Sequence, residues 1–151
     1  MSDLREIYQQ IILDHYRKPR NYAELEGASH HAGGHNPLCG DRVDVYLDVE
    51  EGIIRDIGFK GAGCAISTAS ASLMTEAIKG MPIDEAKALF DQFHTMLTDK
   101  DANDEVPEEL GKLEALSGVR QLPVRIKCAT LAWHTLQAAL QAEAQQTVST
   151  E

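Results

Sequence analysis

Over residues 3–16, Leu4, Ile7, Tyr8, Ile11, Ile12 and His15 fall at i, i+3, i+4, i+7, i+8 and i+11. This is the repeat of one amphipathic helix face. Ser2 or Asp3 caps that helix and Arg17-Lys18-Pro19-Arg20 ends it. From Asn21 to Asp41 the periodicity dissolves among Gly27, Gly33-Gly34, Asn36-Pro37 and Gly40, with His30, His31 and His35 interspersed. The segment reads as a long irregular connection, a class of loop that is often functional. Val43, Val45, Leu47 and Val49 then alternate with Asp44, Tyr46 and Asp48, the period of a strand with one buried face. Glu51-Gly52 turns the chain and Ile53 to Phe59 supplies the partner strand, so a hairpin is expected. Gly61-Ala62-Gly63 is a second break, lacking the pattern and the lysine of a phosphate cradle, and leads into Cys64.

Helical spacing returns at Ala69, Ala71, Leu73, Met74, Ala77 and Ile78, within a helix from Ser67 to Lys79 that Gly80 stops. Pro82 opens another, carrying Ile83, Ala86, Leu89, Phe90 and Phe93. A short helix is expected around Glu108 to Leu116, and after Leu122-Pro123 the last helix runs to about Ala144, with Cys128 in about its first turn. The order predicts an α+β domain of two layers, a small antiparallel sheet packed against several helices. Residues 1–144 form this single domain, and the polar residues 145–151 are expected to fray.

Composition narrows the function classes. A chain of 151 residues, 43% hydrophobic, buries roughly two-thirds of its unfolded surface, so no metal is required merely to fold it. The net charge of −10 argues against nucleic acid as a partner. Half of it lies between Asp99 and Glu114, where seven acids meet two lysines. No membrane span and no signal-like opening are visible, and the three cysteines suit a reducing cytoplasm better than a disulfide framework.

All three cysteines fall near element ends, where loops converge: Cys39 in the irregular connection, Cys64 between hairpin and helix, Cys128 near the start of the last helix. Helix starts favour thiolate, the form that attacks sulfur or binds metal. Arg125 and Lys127 flank Cys128, and no acid lies between Glu114 and Glu143. Asp41 adds an oxygen donor two residues after Cys39. Three thiolates and a carboxylate make a tetrahedral zinc shell, and iron uses the same donors. The competing reading is three small core residues, since 24 and then 63 intervening residues match no short zinc ribbon. His94 and His134 read as ordinary helix residues, and the spacing leaves open whether His30, His31 or His35 contribute.

Asn36-Pro37-Leu38-Cys39-Gly40-Asp41, Gly61-Ala62-Gly63-Cys64-Ala65-Ile66-Ser67 and Pro123-Val124-Arg125-Ile126-Lys127-Cys128-Ala129 together resemble the iron-sulfur assembly family that includes IscU, the N-terminal part of NifU, and SufU. Asp14-His15-Tyr16 and Pro19-Arg20-Asn21 fit as well, so the likeness covers nearly the whole chain. IscU and NifU carry a histidine immediately before the third cysteine, whereas this chain has Lys127, whose ammonium has no lone pair to donate. That departure, the longer segment between Cys64 and Cys128, and Arg125 resemble the SufU branch. The resemblance implies zinc held by Cys39, Asp41, Cys64 and Cys128, with Cys39 as sulfur acceptor and Arg125 assisting. It further implies sulfurtransferase activity in partnership with a PLP-dependent, SufS-like cysteine desulfurase, with sulfur passed to downstream assembly proteins. The alternative it carries is a scaffold on which an iron-sulfur cluster is assembled.

Overall fold

The computed structural model of the chain describes residues 2–37, 40–98, 108–141 and 147–149. Helix α1 (Ser2–Arg17) precedes strands β1 (His30–Asn36), β2 (Asp41–Glu50) and β3 (Ile53–Ala62). Helices α2 (Ala65–Ile78) and α3 (Ile83–Thr98), a 3-10 stretch (Glu108–Gln121), α4 (Pro123–Gln141) and β4 (Thr147–Ser149) follow. The sheet order is β3-β2-β1-β4. The first three strands are antiparallel and β4 joins in parallel beside Gly33–His35, so the frayed tail expected from residue 145 does not extend to those three residues. The α+β architecture is the one the sequence predicts.

Strand β2 follows its alternation: Asp41, Val43, Val45 and Leu47 are buried, while Arg42 and Asp48 face solvent. Glu51 and Gly52 have φ of 54° and 76°, the left-handed pair that a two-residue hairpin turn needs. Asp48 pairs with Asp56 but Val49 with Ile54, leaving Arg55 as an extra residue. This bulge lets Ile54 and Ile57, three apart, both point into the core. The outer edge of β3 is covered by loops, for Phe59 N–H donates to the Asn21 carbonyl (3.0 Å) and Ile54 N–H to that of Met81 (3.0 Å).

Strand β1 corrects the sequence reading, which treated residues 21–41 as irregular. Its inward positions are Ala32, Gly34 and Asn36, too small or too polar to register as a hydrophobic alternation. Gly34 allows β1 to lie directly on α4, because a Cβ there would collide with Thr135 Oγ1 and sit 3.2 Å from Leu131 Cδ1. Gly61 and Ala62 belong to β3 rather than to a separate break, which narrows to Gly63.

Helices α2 and α4 pack on the sheet and on each other, and α1, α3 and the 3-10 stretch pack against them. Trp133 is fully buried, its ring stacked 4.8 Å from Phe93, and its Nε1 donates to Ser70 Oγ at 3.2 Å. Ser70 in turn donates to the Ala129 carbonyl, which ties α2 to α4 and satisfies a buried hydroxyl. Helix α1 docks through His15, 1% exposed, whose Nδ1 lies 2.7 Å from Ser72 Oγ. Ser72 Oγ also accepts the Arg20 N–H at 2.8 Å, so one hydroxyl ties both the helix and the chain that follows it to α2. The expected short helix at Glu108 is a longer 3-10 stretch bent at Gly111 (φ 51°). The most acidic residues, 99–107, lie outside the described residues. Among the described residues no helix is long and apolar enough to cross a membrane.

Candidate metal centre

Three elements end at one place. Asp41 opens β2, Cys64 is the N-cap of α2, and Cys128 sits in the second turn of α4. Their ligand atoms all lie within 4.8 Å of one another, and no other group of three or more His, Cys, Asp or Glu among the described residues converges in this way. Cys39 lies outside the described residues.

The carboxylate of Asp41 is almost fully buried and divides its oxygens between two tasks. Oδ1 accepts the Cys64 backbone N–H at 2.9 Å, and Oδ2 lies 3.5 Å from Cys64 Sγ. Gly63 makes the approach feasible. A Cβ there would lie 2.6 Å from Asp41 Oδ1, and since Gly63 has no positive φ the requirement is for space rather than for backbone freedom. Cys64 Sγ also accepts the Ser67 N–H at 3.4 Å, so this side chain caps the N-terminal end of α2.

Cys128 departs from expectation. It is wholly buried and lies past the first turn of α4, beyond the reach of the helix-end field. Its electropositive neighbour is Arg125, one turn earlier, whose Nη1 is 4.0 Å from Sγ. A groove of about 770 Å³, lined by Asp41, Gly63, Cys64 and Leu122 to Arg125, opens onto the cluster. Leu122 and Val124 are more than half exposed at its rim. The sequence reading did not single out these two, or Ser67; two apolar residues around a proline at a helix start were the available signal.

The loop histidines prove to be strand residues with separate partners. His31 stacks on Tyr46 at 4.4 Å and pairs with Asp44 at 3.3 Å, His30 Nδ1 lies 2.9 Å from Ser29 Oγ, and His35 stands opposite Arg42. None of them joins the cluster.

Residues 7–149 match the family model described as the NifU-like N terminal domain. The chain belongs to this family. NifU-like domains therefore provide the frame for reading the cluster. Among relatives, the zinc-dependent sulfurtransferase SufU of Bacillus subtilis is 43% identical over 136 residues, 90% of each chain. The iron-sulfur cluster assembly scaffold protein IscU of Streptococcus pyogenes is 40% identical over 144 residues, 95% of this chain and 89% of that one. A crystal structure of a candidate SUF-system scaffold protein from Fervidobacterium islandicum superposes with a TM-score of 0.81 at 33% identity, covering 90% of this chain and 98% of that one. The NifU-like frame extends to every element that carries Asp41, Cys64 and Cys128.

Proposed function

We propose that this NifU-like domain acts in iron-sulfur cluster assembly as a zinc-dependent sulfur acceptor, taking persulfide sulfur from a PLP-dependent cysteine desulfurase. The observation that carries the reading is the convergence of Asp41, Cys64 and Cys128 beneath an open groove. Two thiols and a carboxylate suit zinc: thiolate sulfurs on one tetrahedral ion stand about 3.7 Å apart, given Zn–S near 2.3 Å. The three ligand atoms already lie within 4.8 Å of one another, and Cys39, two residues before Asp41, would supply the fourth donor. When bound, zinc holds the thiols deprotonated near neutral pH.

The chain's own residues then divide the work. Asp41, tied to the Cys64 N–H, and Cys128, wholly buried, hold position while Cys39 receives sulfur. The Cys39 thiolate attacks the terminal sulfur of the desulfurase persulfide. One S–S bond forms as another breaks, the desulfurase cysteine leaves as thiolate, and no net oxidation occurs. Arg125, beside Cys128 at the groove, favours thiolate over thiol while this exchange proceeds.

The relation to IscU scaffolds supports a second reading, cluster assembly on the same donors. One experiment separates the two. Zinc-loaded protein incubated with a desulfurase and cysteine is expected to gain one sulfur on Cys39 by mass spectrometry, and Cys39→Ala none. A brown protein that hands an intact cluster to an apo-ferredoxin would overturn sulfur acceptance in favour of the scaffold.

A further inference from the structure

On the face of the helical layer formed by α3 and α4, two histidines from different helices meet. The ring centroids of His94 and His134 are 6.1 Å apart with the planes at 75°. Phe90, one turn before His94, makes T-shaped contacts with both rings, at 6.0 Å to His94 and 5.3 Å to His134. Phe90 also stacks on the buried Trp133 at 5.8 Å, so the floor beneath the two imidazoles is anchored in the core. His94 is exposed and His134 half-buried, and among the described residues no hydrogen bond engages the ring nitrogens of either.

We propose that His94 and His134 form a second metal site, separate from the cysteine cluster, that takes one divalent transition-metal ion. Two imidazoles sharing an ion at N–metal distances near 2.0–2.1 Å have centroids about 5–6 Å apart, close to the observed separation. Rings supplied by two packed helices are already brought together, so binding requires side-chain rotation rather than refolding. Burial, then the neighbouring His94, lowers the pKa of His134, which keeps its lone pair available at neutral pH. No third His, Cys, Asp or Glu joins the pair among the described residues, so water completes the shell. With nitrogen donors and no thiolate, the site favours Ni²⁺, Cu²⁺ or Zn²⁺ and exchanges its ion readily.

The test is a calorimetric titration with Ni²⁺ of protein carrying a single equivalent of zinc, held by the cysteine cluster, with zinc content followed in parallel. One further equivalent of Ni²⁺ is expected with zinc unchanged. His94→Gln and His134→Gln are each expected to weaken it about tenfold or more, and His31→Gln to leave it intact. Because His94 is exposed, its variant keeps the fold and decides the matter alone should His134→Gln prove unstable. Absence of the extra equivalent, or its survival in His94→Gln, overturns the site and marks the pair as ring packing only.

Discussion

Gly63 is where a single missing atom group controls the cluster. Any Cβ would press on Asp41 Oδ1, Cγ and Cβ at 2.6, 2.9 and 3.1 Å, and the carboxylate can yield only by releasing the Cys64 N–H. Gly63→Ala is therefore expected to cost about 1–3 kcal/mol in denaturant unfolding. It is also expected to weaken zinc about 10–100-fold in a chelator competition, as loss of an orienting contact does. Because Gly63 has no positive φ, retention of wild-type zinc affinity would show that the clash is relieved elsewhere. Asp41, Cys64, Cys128 and Arg125 were legible as residue types near element ends. The glycine's role was not, because it depends on a distance across the fold rather than on a neighbour in sequence.

At the scale of elements, α1 is fastened by one buried imidazole. Burial, then the adjacent Arg20 guanidinium, lowers the His15 pKa, so the folded state holds it neutral against Ser72. Below about pH 6.5, the ordinary histidine value, the unfolded chain takes up a proton that the folded chain resists. Stability present above that pH is then lost as pH falls toward the lowered value, at up to about 1.4 kcal/mol per pH unit for each such group. Urea midpoints between pH 7.5 and 5.5 are expected to fall for the wild type and to fall less steeply for His15→Gln, with His134 contributing the remainder. His15→Gln is itself expected to be about 1–3 kcal/mol less stable at pH 7.5, since it disturbs a buried hydrogen bond. Pattern reading placed α1, β2, β3 and the four helical segments because apolar periodicity carried them. It missed β1, whose inward residues are Ala32, Gly34 and Asn36 and whose place is dictated by the close approach of α4. It also put Cys128 too near the start of α4, since Leu122 and Pro123 resemble a helix beginning slightly later.

For the whole molecule, the candidate ligands Asp41, Cys64 and Cys128 come from the sheet, α2 and α4 around a core that is already continuous from Phe59 to Trp133. Zinc is thus expected to tighten the fold rather than create it. With metal a thousandfold above its Kd, the Tm should rise by about 8–16 °C over the chelated protein. Far-UV circular dichroism of the chelated protein should stay folded at 25 °C, and a collapse to coil would place the centre among metals that fold their domain. The covered edge of β3 has a consequence for recognition. With Phe59 N–H given to Asn21 and Ile54 N–H to Met81, this side of the sheet offers no run of open backbone groups. A visiting chain cannot extend the sheet there as an extra strand, so recognition along this edge falls to side chains.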